Sequence, residues 1–144
     1  MAARSFSIAA ASDAAAAVGQ KQHHLQALQL PFNVRDHEAL TKPTQQIEGT
    51  LLPALEAAEK LGLYCFTSAS VLQGSHVQHS HVASLCEALP GHLAHTAALQ
   101  AARSAPGVGT ALAGMRRITS VEEAMAVASQ PLLPKSFWRK IAEQ

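Results

Sequence analysis

Three short apolar runs punctuate the chain: Leu28-Gln-Leu-Pro-Phe32, Leu63-Tyr-Cys-Phe-Thr67 and the stretch from Val108 to Ala113. The second is dense in β-forming residues, and the third follows the breaker pair Pro106-Gly107, so each reads as a strand. Pro31 places the end of the first strand at a loop. Between the first two runs, Leu51, Leu55 and Ala58 recur at helical spacing. That spacing predicts a helix over 50–61, with Thr50 as N-cap, Pro53 in the first turn and Gly62 as the C′ glycine. The stretches 76–89 and 92–103 predict a longer, two-part helical connection. After the third run, Val121, Ala124, Met125 and Ala128 trace the i, i+3, i+4, i+7 stripe of an amphipathic helix, ended by Pro131 and Pro134. Phe137, Trp138 and Ile141 predict a last short helix on the body. Strands alternating with helices in this way predict an α/β protein with a parallel sheet.

At 144 residues and 48% apolar composition, the chain has the size and the core material of one domain. Charged residues make up 15%, with 11 basic against 10 acidic. That balance leaves neither the electrostatic footprint of a nucleic-acid binder nor a basic face for a membrane. No stretch approaches the ~20 apolar residues of a spanning helix. The two cysteines, Cys65 and Cys86, make no disulfide framework and read as buried thiols of a reducing compartment. Residues 1–24 are rich in alanine and serine. They read as an alanine-rich helix, starting near Ser12 or Asp13 and ending near Gly19, or as an organelle targeting segment. Arg4 is the only arginine before residue 20, which favours the helix. A cytoplasmic location is expected, with a chloroplast or mitochondrion as the alternative.

The chemistry concentrates between Gly107 and Met125. A parallel strand buried on both faces is a continuous apolar run, as Val108 to Ala113 is. Gly114 lets the backbone turn as it leaves that strand. Ser120 and Glu123 have the spacing of a capping box at a helix start. The partial positive charge of that helix start, with Arg116 and Arg117 just ahead of it, suits a phosphate. The plain alternative is a βα loop carrying two solvated arginines.

This stretch resembles the last strand and helix of the aldo/keto reductases, NADPH-dependent oxidoreductases built on a (β/α)₈ barrel. Gln29-Leu-Pro-Phe-Asn33 resembles the sixth barrel strand of that family. Gly62-Leu-Tyr-Cys-Phe-Thr-Ser-Ala-Ser-Val-Leu-Gln-Gly74 resembles the seventh strand and its loop, and the stretch from Ala98 to Met115 is similar to the seventh helix running into the eighth strand. The likeness runs from about Leu25 to about Pro134, in the family's order. It implies a partial (β/α)₈ TIM barrel comprising the last three βα units, over residues 25–134, with a short helix over 135–144. It further implies an NADP site. Gln29 would meet the nicotinamide carboxamide, Ser70, Val71, Leu72 and Gly74 the pyrophosphate, and Gly114, Met115, Arg116, Arg117, Ser120 and Glu123 the adenosine 2′-phosphate and adenine.

The chain also departs from the family pattern. Ala124 stands where an asparagine usually contacts the adenine, Ser120 replaces a frequently basic residue, and Ser68 stands where an aromatic often stacks on the nicotinamide. The family's proton donor and its partners come from the second to fourth strands, which this chain does not resemble. The sole tyrosine, Tyr64, lies inside the second apolar run, where it reads as core. The aspartates, Asp13 and Asp36, match no catalytic motif. Reduction of a carbonyl needs a general acid within reach of the oxygen, so the chain alone is expected to be inactive toward the family's carbonyl substrates. Three strands cannot close a barrel built from eight. The chain would be a portion of a longer product, or need a partner half-barrel, or self-associate through open sheet edges. The second reading is a non-catalytic protein of this descent that binds a nucleotide or a partner.

Histidines are the other conspicuous feature. His76 and His79 share a helical face, as do His92 and His95, with His81 nearby. No carboxylate or cysteine is interleaved at ligand spacing, so no metal is expected. His23 and His24 read as a solvated loop, and Cys86 as packing rather than a nucleophile.

Overall fold

A computed structural model describes residues 6–20, 23–72 and 85–142. The alanine-rich segment is a helix, α1 (Ile8–Gly19). It starts earlier than Ser12, because the extended Ser7 accepts the Ala10 N–H at 3.2 Å and so caps the first turn. Its end is carried by Gln20 at φ 51° rather than by Gly19. There follow β1 (Ala27–Pro31), α2 (Glu38–Thr41), β2 (Gln45–Ile47), β3 (Thr50–Leu52), α3 (Ala54–Lys60), β4 (Tyr64–Ser68), α4 (Ala94–Arg103), β5 (Thr110–Ala111), α5 (Ile118–Ala128) and α6 (Lys135–Ala142). Of the helix expected over 76–89, residues 85–88 are helical and 76–84 lie outside the described residues.

The three apolar runs do become one parallel sheet, in the order β1-β4-β5. Gln29, Phe66 and Thr110 stand in register across it. The result is a mixed α/β fold with a small parallel sheet; among the described residues there is no closed barrel. Tyr64 N–H donates to Gln26 O at 2.9 Å and Phe32 N–H to Ser68 O at 3.0 Å. Since backbone groups alternate along a strand, residues 27, 29 and 31 turn theirs to the free edge of β1. Pro31 therefore removes no ladder bond.

β5 is much shorter than the run from Val108 to Ala113. Gly109 N–H donates to Cys65 O at 2.9 Å, and Leu112 N–H, rather than Ala111, donates to Thr67 O at 2.8 Å. Three steps along one strand against two along the other leave an extra residue, which interrupts the pairing.

The helix expected over 50–61 also divides. Thr50 is not its N-cap: it opens β3, which pairs antiparallel with β2 through Ile47 and Thr50. Between them Glu48 and Gly49 both have positive φ, 48° and 82°, the two-residue turn that matches strand twist. Pro53 is the N-cap of α3 rather than a first-turn residue. The expected end holds. Leu63 N–H reaches Ala58 O at 2.9 Å and Gly62 N–H reaches Glu59 O at 3.1 Å, with Gly62 at φ 70°. This is the Schellman arrangement, and it needs that left-handed residue.

The helices cover one face of the sheet. Cys65 and Thr67 of β4 are 1% and 0% exposed, and Cys65 belongs to a core with Leu55, Ala57, Ala58, Ala97, Ala98, Ala101 and Ala102. Alanines at those positions let α3 pack on β4 and α4 on β5 closely. The opposite face is open: Ala27, Gln29 and Pro31 are exposed and Tyr64 is 47% exposed. The expectation that the third run is buried on both faces is thereby corrected, since Thr110 and Ala111 are only half-buried and Leu112 is exposed.

The C-terminal helix closes the other end of the core. Trp138 is 1% exposed, donates its indole N–H to Ala101 O at 2.9 Å, and lies 4.9 Å from Phe32 between ring centroids. The α5–α6 connection is tied to the end of α4 as well. Arg103 donates to the carbonyls of Ala128 and Gln130 at the end of α5, and Leu133 N–H donates to Ser104 Oγ at 3.0 Å.

Candidate functional site

The turn after β4 is strained. Ala69 and Leu72 both lie at φ 56°, a left-handed conformation that costs a non-glycine residue roughly 1–2 kcal/mol. Leu72 N–H closes the turn on Ala69 O at 2.9 Å. Inside it Ser70 is fully buried, its Oγ donating to Thr67 O at 3.2 Å and 3.1 Å from Thr67 Oγ1. The Ser70 hydroxyl is therefore engaged by the turn itself, and the Leu72 side chain, 3% exposed, belongs to the core. What this turn can offer a ligand is backbone, together with the half-buried Val71. Gly74 lies outside the described residues. Strain of this kind gathers at functional turns, and parallel-strand folds place ligands beyond the carboxyl ends of their strands.

The second turn follows the adjacent strand. Gly114, Met115, Arg116 and Arg117 are all exposed, and α5 begins at Ile118 with Arg117 in the N-cap position and no side-chain cap bond. This overturns the capping box. Ser120 is the third helical residue, and its N–H returns to Arg117 O at 3.1 Å. Glu123 instead meets His95 of α4, Oε2 to Nε2, at 2.9 Å. Gly114 has ordinary backbone angles, and a Cβ there would meet nothing within 4 Å. The turn does not depend on glycine. The first N–H groups of any helix lack intrahelical partners, so the start of an 11-residue helix behind two solvated guanidinium groups keeps the chemistry of an anion site.

The apolar stripe of α5 is rotated from its expected position. Val127 is buried and Ser120, Glu123 and Ala124 are half-buried, while Val121 and Met125 are 39% and 61% exposed. Val108, Ala111, Met115, Met125 and Leu132 line an open groove of about 450 Å³ beside β5. The apolar side of the helix thus borders the free edge of the sheet instead of the core.

On the open sheet face, Gln29 stands in register with Phe66. Tyr64 is not a core residue. Its hydroxyl is 2.6 Å from Thr110 Oγ1, its ring is 4.9 Å from that of Phe66, and it lies so close over Gly109 that a Cβ there would overlap it. Ser68 is half-buried at the end of β4.

Among the described residues the cysteines and histidines hold no comparable site. Cys65 is buried, and burial pushes its thiol above the ordinary range; Cys86 is only half-buried, which corrects its reading as a core thiol. His24 is exposed, but His23 is half-buried, its Nδ1 shielded without a hydrogen-bond partner among the described residues. Among the described residues no group of three His, Cys, Asp or Glu could hold a metal ion, and His76, His79 and His81 lie outside them. No helix among the described residues is long and apolar enough to cross a membrane. The His95–Glu123 pair and the strained turn at Ala69 were not anticipated. The pair spans 28 positions, outside any local spacing rule, and the turn lacks the glycines that would have signalled it.

No family model matches the chain, and neither a curated protein nor a solved structure does.

Proposed function

We propose that the chain is the C-terminal, cofactor-binding portion of an aldo/keto reductase-like, NADP-dependent oxidoreductase, three βα units of a (β/α)₈ barrel, inactive toward carbonyls by itself. One observation carries the reading: a strained backbone turn and a helix start flanked by Arg116 and Arg117 follow the carboxyl ends of adjacent parallel strands, β4 and β5, where barrel folds put their phosphate sites. Arg116 and Arg117 fit the 2′-phosphate of NADP, the backbone of residues 69–72 fits the pyrophosphate, and Gln29 fits the carboxamide. The side chains of Ser70 and Leu72 do not fit a ligand-binding role, being engaged within the turn. The bound cofactor would supply the hydride. The chain's own part would be to hold it, since Tyr64 is bonded to Thr110 and no other residue matches a proton donor.

Loss of both arginines tests it. A charge-assisted contact contributes about 1.5–3 kcal/mol, so Arg116→Ala with Arg117→Ala should weaken NADPH roughly ten- to a hundredfold and NADH far less in fluorescence titrations. Equal losses for both would return the arginines to a solvated loop. Purified alone, the chain should not reduce 4-nitrobenzaldehyde with NADPH. Turnover that depends on a residue of this chain would overturn that part.

The second reading, a non-catalytic protein that binds a nucleotide or a partner, is favoured by the uncovered sheet face around Tyr64 and the groove beside β5. Either surface suits a second half-barrel or self-association.

A further inference from the structure

The open groove beside β5, of about 450 Å³, has a charged lining as well as an apolar one, because Arg103 borders it. Arg103 is the last residue of α4 and is half-buried. It therefore stands at the amino end of β5, with Met115 beyond the carboxyl end. Its guanidinium is held in place. Nη1 donates to Gln100 Oε1 at 2.8 Å and to Gln130 O at 3.2 Å, and Nη2 donates to Ala128 O at 3.3 Å. A guanidinium carries five N–H donors, so Nε–H and one Nη2 N–H are left. Since Nη1 and Nη2 both reach the carbonyls at the end of α5, they use the edge between them. The edge that carries Nε is the one left, and such an edge matches the two oxygens of a carboxylate. All three partners are neutral oxygens, and among the described residues no carboxylate pairs with Arg103. The apolar walls are open to a ligand: Met115, Met125 and Leu132 are 52%, 61% and 61% exposed.

We propose that this groove binds a medium-chain fatty acid, its carboxylate on the free edge of Arg103 and its acyl chain along the apolar walls. The volume falls in the usual range for small-molecule sites, about 300–1,000 Å³. The unbranched thioethers of Met115 and Met125 adapt to a flexible chain. A second copy or another apolar strand would cover the remaining N–H groups of Arg103 without replacing their water, which is costly. A small inorganic anion would leave the walls wet. Charge and apolar lining together select an amphiphilic anion. Of the residues assigned to the cofactor, Met115 alone lines the groove, and the site does not rest on the NADP reading.

Two of the three methionines of the chain line the groove, so isotope-labelled methionine methyl signals report occupancy at the site itself. Titration with octanoate and decanoate should move the Met115 and Met125 signals saturably. Decanoate should bind roughly five- to fifteenfold tighter than octanoate, since one fully buried methylene is worth about fourfold. 1-Octanol, equal in length but uncharged, should bind about tenfold weaker than octanoate, and acetate should not compete. Arg103→Lys keeps the charge but loses the fork, and should weaken octanoate about tenfold. Met125→Glu, at an exposed position, sets a like charge in the groove and should abolish the Met115 response with the far-UV spectrum unchanged. 1-Octanol binding as tightly as octanoate would overturn the role of Arg103 on the unaltered protein, whatever the variants do. No saturable movement with either acid, or equal affinity for the two, would overturn the site. Methionine signals that follow protein concentration instead would give the groove to a second copy and overturn it as well.

Discussion

Replacing Phe32 by alanine tests how the C-terminal helix is held. Phe32 is 0% exposed, directly follows β1, and packs on Trp138 with 4.9 Å between ring centroids. Removing a buried phenyl ring costs about 3–5 kcal/mol, less when the surroundings can collapse into the space. Here the walls are pinned at backbone level, by Phe32 N–H to Ser68 O at 3.0 Å on one side and the Trp138 indole to Ala101 O at 2.9 Å on the other. Collapse is restricted, and the expected loss is about 4 kcal/mol. Against a total of roughly 5–15 kcal/mol for a domain, that is a large fraction. At about 2–4 °C per kcal/mol for a chain of this size, the melting temperature falls by roughly 8–16 °C. Urea unfolding followed both by Trp138 emission and by far-UV circular dichroism measures it. With a slope of about 2 kcal/mol per molar, the midpoint should drop by roughly 2 M. A loss under about 1 kcal/mol, or a wild-type tryptophan that acrylamide quenches as freely as the unfolded chain's, would refute the packing argument.

Gly107→Ala should destabilise by about 1–3 kcal/mol in the same assay, because the residue sits at φ 80° and the added Cβ would lie 3.2 Å from both Cβ and O of Leu55. Gly114→Ala, with open space around it, should be neutral or slightly stabilising. Native protein treated with iodoacetamide should be labelled at Cys86 and spared at Cys65, whose buried thiol ionises above the ordinary range; equal labelling would show that the core opens readily. Arg35 holds the Asp36 carboxyl below its ordinary range, with Asn33 adding to the effect against the cost of burial. A depressed carboxyl stabilises the fold above its unfolded pKa of about 3.9 and loses that contribution as pH falls through the lower folded value. Asp36→Asn should therefore cost up to about 1 kcal/mol at pH 7, an upper limit for so exposed a pair, and the gap from wild type should shrink below about pH 4. A gap that widened in acid would refute the sign.

The amino-acid sequence determined the features that depend on local pattern. The three apolar runs are the three strands of the parallel sheet, because continuous runs of β-formers between breakers have few other stable uses. Gly62 closes α3 because a left-handed residue was needed there. Trp138 and Phe137 lie on a terminal helix as their spacing requires. Tertiary structure decided which faces are covered. Tyr64 has the character of a core residue, yet helices cover only the Cys65 and Thr67 side of β4, so it lies on the open face, over Gly109. Periodicity placed a stripe on α5, but α4 meets the helix on the side of Glu123, Ala124 and Val127, which leaves Val121 and Met125 outside. Ser120 and Glu123 had the spacing of a capping box. The ladder slip that makes Leu112 rather than Ala111 the donor to Thr67, and the start of α5 at Ile118, moved that pair inside the helix, and His95 took the carboxylate. Local spacing fixes which residues are neighbours along an element; the docking of one element on another fixes what each face meets, and that depends on residues far apart in the chain.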